Sequence, residues 1–166
     1  MPFDFCPPCS ARPRIRRERH PEESRLWRYI RAGDFIDGYS VASRATPDDA
    51  VGTGLDTPEW VNAAMSLRNR LVGPLGLRTG RTGEAGPLFP TTFWTAEERV
   101  IGTDDSHLDF RISILCRDGR VHMATWVHPK TTFGRAYLRA VLPVHGLITR
   151  DALRRIARHH PPADSL

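Results

Sequence analysis

No apolar run in this chain approaches the ~20 residues that a membrane-spanning helix needs, so no helical anchor is expected. Its start, MPFDFCPPCSARPRIRRERHPEES, lacks the apolar core of a secretory signal, and the protein is read as cytoplasmic. Three cysteines cannot build a disulfide framework. Cys6 and Cys9 form a CPPC without the strand and helix that flank a redox pair. Zinc would need two further ligands, of which only His20 offers itself. No glycine-rich phosphate loop follows a strand, since GTGLD and GRTGEAG lack that context. A nucleophile elbow and internal repeats are missing as well. No cofactor and no metal are therefore expected.

What is present is ordinary for one globular domain: 166 residues, 40% hydrophobic and 26% charged. The net charge of +5 raises a nucleic-acid reading. The charge gathers at the ends, in RPRIRRERH and RRIARHH, where solvated tails are the usual outcome. A nucleic-acid adaptor is accordingly the last of three functional readings.

Along the chain, residues 1–24 are rich in Pro and Arg without periodicity and are read as a disordered basic leader. A single domain is expected over 25–160, with a disordered tail over 161–166. RLWRYIRAGDFIDGYSVAS reads as a strand with Phe35, Asp37, Tyr39 and Val41 on one face. ATPDDAVGTGLDT reads as a turn-rich connector. TPEWVNAAMSLRNRLVGPLGL has helical spacing, and residues 78–87 read as a flexible loop. Strands are expected near 91–102, 107–117 and 120–128, then a long helix over about 132–159. Pro143 should kink that helix or split it. Together these make an α+β fold, an antiparallel sheet with helices on one face.

TDDSHLDFRISILCRDGRVHMATWVHP holds the densest chemistry. Asp118-Gly119 is the preferred two-residue type I′ loop, and counting outward pairs Arg117 with Arg120, Ile114 with Met123, Ile112 with Thr125 and Phe110 with Val127. The apolar side of this hairpin belongs inward. His107, Asp109, Arg111, Ser113, His122, Trp126 and His128 fall on the other side, expected to be wet. Asp109 opposite His128 suits an ion pair, and Arg111 opposite Trp126 a cation–π stack. His122 and His128, about 20 Å apart, cannot share an ion. His107, Asp109 and His128 could meet as a two-histidine, one-carboxylate site, though such faces commonly carry these residues without metal.

Polar residues on apolar faces are the better candidates. Leu138, Val141, His145, Ile148, Ala152 and Ile156 form one stripe of the long helix. His145 is then either a core histidine satisfied by a backbone group or a general acid/base in an apolar cavity. An inward Asp37 would be costly unless paired or near water, which marks a pocket; a bulge at Gly38 would instead turn it outward. For Glu97, Glu98 and Arg99 the strand register stays open.

Three segments, SLRNRLVGPLGL, ERVIGTDDSHLDFRISIL and GRAYLRAVLPVHGLITRDALRRI, resemble a bacterial domain family of unknown function. Its members stand alone or follow an NAD(P)-binding, epimerase-like domain. That family is similar to the helix-grip superfamily of polyketide cyclases, lipid-transfer domains and the birch pollen allergen. WVHPKTTFGRAYL departs from the family pattern, in which a histidine and an asparagine stand nearer Lys130 and Thr131. No NAD(P)-binding domain precedes the fold, so a stand-alone form is expected.

The resemblance implies a curved antiparallel sheet wrapped around a long C-terminal helix, kinked at Pro143, with a hydrophobic pocket between them. Sheet residues Tyr39, Phe93, Phe110, Ile112, Met123 and Thr125 would line it, with Tyr137 and Val141 from the helix. The expected partner is a small hydrophobic metabolite. The first functional reading is cofactor-independent cyclisation, isomerisation or dehydration, with His145 and Asp37 moving protons and His107 and Asp109 at the rim. The second is a carrier using the same cavity without turnover.

Overall fold

The computed structural model of the protein describes residues 12–55 and 89–163. Six strands, β1 (Arg16–Arg17), β2 (Phe35–Ala42), β3 (Thr91–Trp94), β4 (Glu98–Asp104), β5 (Leu108–Arg117) and β6 (Arg120–Pro129), form one antiparallel sheet in the order β1-β2-β6-β5-β4-β3. Among the described residues two α-helices, α1 (Pro47–Leu55) and α2 (Thr132–His159), accompany the sheet in an α+β architecture. The expected helix near 57–73, the loop over 78–87, Cys6 and Cys9 lie outside the described residues.

The β5–β6 hairpin follows the expected register, from Arg117 opposite Arg120 to Asp109 opposite His128. Asp118 (φ 51°) and Gly119 (φ 69°) take the left-handed conformation that both central positions of a type I′ turn require. The strand expected over 91–102 is instead two, β3 and β4, paired with a register shift between Thr91 and Phe93. Opposite Leu115, Glu98 faces away from the helices, while Arg99, opposite Ile114, faces them.

Pro47–Leu55 is a helix rather than a connector. Thr46 and Asp49 make a reciprocal cap, Thr46 N–H donating to Asp49 Oδ2 (3.1 Å) and Asp49 N–H to Thr46 Oγ1 (3.2 Å). Pro47 follows at the first helical position, where its missing N–H costs nothing. α2 packs on β2 and β6, and α1 packs on α2 and reaches β4 and β5. Their core holds Val41, Ile114, Val121, Leu153 and Ile156, each almost wholly buried, and every such side chain contributes about 1.5–3 kcal/mol. α2 is one unbroken element, so Pro143 does not split it. At its C-terminal end, Ser43 Oγ donates to the His160 carbonyl at 2.7 Å. Along the expected stripe Ala152 and Ile156 are buried, while Leu138, Val141, His145 and Ile148 are half-buried.

The other face of the sheet corrects three expectations. From residue 12 onward the leader is ordered: β1 pairs with β2, Glu18 N–H donates to Gly38 O at 3.0 Å, and His20 and Ser24 are buried. The strand expected over 25–43 is a 3₁₀ turn, Arg25–Arg28, followed by β2. This N-terminal strap covers the face expected to be wet. Leu26, Ala124 and Trp126 form a second buried cluster with Tyr29, Ile30 and Ile36 against it. Two arginines that precede this cluster lie over rings, which lets them border buried surface: Arg19 over Trp27 at 4.9 Å and Arg25 over Phe93 at 5.2 Å. Gly38 permits the crossing, since a Cβ there would stand 2.5 Å from the Glu18 carbonyl oxygen.

Candidate functional site

Alternation along β2 puts Asp37 on the helix face, opposite Thr125 of β6. A bulge at Gly38 does not turn it out, as Gly38 stays in register with Ala124. Above it, α2 presents His145, Gly146 and Thr149. His145 Nε2 lies 3.5 Å from Asp37 Oδ2, the aspartate side chain 5% exposed and the imidazole 21%. Thr149 Oγ1 lies 3.4 Å from the same nitrogen and donates to the His145 carbonyl at 3.0 Å. Asp37 Oδ1 is buried with no hydrogen-bond partner. Such an oxygen costs about 1–3 kcal/mol. At Gly146 a Cβ would sit 3.4 Å from the Tyr39 hydroxyl, and the Arg150 guanidinium lies 5.1 Å over the Tyr39 ring.

Register fixes what surrounds the pair. The row through Asp37 continues to Thr125, Ile112 and Ile101, and the row beside it runs Phe35, Val127, Phe110 and Thr103. Strands stand ~4.8 Å apart, so Ile112 is two spacings from Asp37. Phe35, Phe110, Ile112, Tyr137 and Val141 are all half-buried, leaving apolar surface within reach of one small ligand. Tyr39 and Met123, expected to line a pocket, belong to the packed core instead. Phe93, opposite Val100, faces the strap and not the helices.

His107 and Asp109 are not brought to this site. Asp109 is on the strap face, its Oδ1 2.6 Å from Nζ of Lys130, the only lysine in the chain. His107 Nδ1 meets Ser106 Oγ at 2.7 Å and its ring is edge-on to Phe133. His128 pairs with Asp34 and not with Asp109, and Arg111 lies over Tyr29 while pairing with Asp104. The proposed meeting of His107, Asp109 and His128 therefore does not form. Among the described residues no three His, Cys, Asp or Glu side chains are arranged to hold a metal ion.

Two polar clusters lie on the strap face, and sequence reasoning missed both. In the first, the Asp34 carboxylate accepts from His128 Nδ1 (2.6 Å), Trp126 Nε1 (2.7 Å) and Arg31 N–H (2.8 Å). Burial pushes the Asp34 pKa up, but these hydrogen bonds outweigh it and hold the group below the ordinary carboxylate range. In the second, Ser113 Oγ donates to Glu98 Oε1 at 2.6 Å, Ser24 Oγ donates to the same oxygen, and Arg25 N–H donates to Oε2 at 2.9 Å. His20 Nε2 meets Ser113 Oγ at 2.9 Å. Burial, aided by His122, lowers the His20 pKa to about 3. One available signal was Trp126, whose bulk on a nominally polar strand face demanded cover.

A family model described as "Protein of unknown function (DUF2867)" matches residues 29–152, and the chain belongs to that family. No curated protein and no solved structure matches it.

Proposed function

We propose that this family member binds a small hydrophobic metabolite on the helix face of its sheet and promotes a cofactor-independent proton-transfer reaction, a cyclisation, isomerisation or dehydration. The observation that carries the reading is the Asp37–His145 pair: a buried carboxylate with one unpartnered oxygen, facing an imidazole beside half-buried Phe35, Phe110 and Ile112. The α+β arrangement supports it: β2 pairs with β6, and a meander β3–β6 precedes a long C-terminal helix, an order compatible with the helix-grip resemblance.

In this reading the apolar surface holds a flexible substrate in a reactive conformer. His145 takes or gives the proton, and Asp37 stabilises the imidazolium formed in the process. A carrier without turnover is the second reading, favoured by the 3.5 Å separation of the pair, long for a hydrogen bond.

Native mass spectrometry of protein purified from its own host, followed by denaturation, identifies any retained molecule. That molecule, incubated with the protein in deuterated water, should gain deuterium or convert to product. His145→Ala and Asp37→Asn should slow this about 10²–10⁴-fold, the usual worth of a positioned acid or base. Unchanged rates in both variants would remove the catalytic assignment. Retention by wild type and variants alike, with no label in any, would establish the carrier.

A further inference from the structure

We infer that Thr149 is a positioning residue: with Asp37 it holds neutral His145 as the Nε2–H tautomer, so that Nδ1 is the nitrogen that exchanges protons. The role in turnover rests on the reading above, but the tautomer itself does not.

Donors and acceptors around Nε2 decide the tautomer. A threonine hydroxyl has one proton, and that of Thr149 is given to the His145 carbonyl one turn back, at 3.0 Å. What Thr149 Oγ1 offers His145 Nε2, at 3.4 Å, is then a lone pair. The other polar neighbour of Nε2 is Asp37 Oδ2 at 3.5 Å, and an ionised carboxylate only accepts. Two acceptors converge on one nitrogen. A neutral imidazole with its proton on Nδ1 would set a third lone pair against them, whereas a proton on Nε2 satisfies both. The carbonyl bond also fixes the hydroxyl relative to the helix backbone. Thr149 itself is 4% exposed, so water does not readily replace it.

Proton transfer at Nδ1 then builds its positive charge beside Asp37, which remains in contact through Nε2–H. This is the arrangement in which a carboxylate stabilises the cation without taking the proton. The two contacts to Nε2 are long here, and catalytic hydrogen bonds commonly tighten when ligand is bound.

The test is ¹⁵N NMR of the imidazole nitrogens in the full chain without ligand, at a pH well above the ordinary imidazole range. It has seven histidines, and the signals lost in His145→Gln assign this one. The expected spectrum has a protonated Nε2 and an unprotonated Nδ1. Thr149→Val, which keeps the shape and removes the acceptor, should shift population measurably towards Nδ1–H, and Thr149→Ser should restore the wild-type ratio. A wild-type spectrum dominated by Nδ1–H would overturn the inference, as would a Thr149→Val ratio equal to wild type. Because no ligand is used, an empty protein in the mass spectrometer would leave this result standing, and a wrong tautomer would leave a retained ligand standing.

Discussion

Asp34 and Asp37 are three residues apart, and each meets a histidine, but the two pairs are built on opposite principles. Asp34, with its side chain 2% exposed, is saturated: three donors at 2.6–2.8 Å fill both of its oxygens. Asp37, with its side chain 5% exposed, has a single long contact on one oxygen and none on the other. A buried carboxylate is tolerable when its lone pairs are used and costly when they are not. The saturated pair therefore reads as a fastening between the strap and the sheet, and the starved pair is the one that carries the proposed chemistry.

The largest expected effect breaks the fastening. Asp34→Ala leaves His128 Nδ1, Trp126 Nε1 and the Arg31 amide without their common acceptor, and should lower unfolding free energy by about 3 kcal/mol. Urea denaturation measures it. A loss under ~0.5 kcal/mol would mean that the strap is held by apolar packing alone and that the contrast between the two pairs is not one of structure against function.

Acid should act on the same side of the sheet. His20 titrates near 3 in the folded chain against its ordinary 6.5, so the unfolded state binds the proton more readily. The stability associated with a neutral buried His20 is therefore complete above about pH 6.5 and falls as pH drops from there towards 3. The shift corresponds to a few kcal/mol at most, and opening of the strap would relieve part of it. The expected sign is a stability that declines with acidification in wild type and declines less in His20→Phe. Identical slopes in the two proteins would show that His20 is not the group responsible.

How far this contrast was legible in the sequence follows from what each part depends on. The β5–β6 register was readable because Asp118-Gly119 defines its own turn and everything else is counting. α2 was readable because an apolar stripe from Leu138 to Ile156 recurs at helical spacing. His145 and Asp37 could be singled out because each broke the pattern of an apolar face, but the sequence left the direction of Asp37 open. The strap was not readable, since its burial comes from Leu26, Tyr29 and Ile30 meeting a strand face that local alternation labels polar. Composition says that an Arg- and Pro-rich segment is solvated; tertiary packing overrides it by laying arginines on aromatic rings. α1 could have been found in Thr46-Pro47-Asp48-Asp49, a cap followed by a first-turn proline. Asp34 gave no signal at all, because its three donors come from residues 31, 126 and 128.

The smallest expected effect is the sharpest for the comparison. Asp37→Asn keeps the shape of the side chain, removes a charge whose Oδ1 has no partner, and supplies an amide that can still meet His145. Measured at a pH well above the ordinary imidazole range, its stability should lie within ~1 kcal/mol of wild type, with any change towards greater stability. Nothing comparable holds for Asp34, where even the isosteric amide puts an N–H donor against donors already in place. A loss from Asp37→Asn as large as that from Asp34→Ala would make both pairs structural, and the helix-face site would lose the argument from cost. A neutral or stabilising Asp37→Asn that also abolishes proton transfer to the retained ligand would separate the two pairs as they are separated in the fold, one holding the strap down and the other kept ready for a substrate.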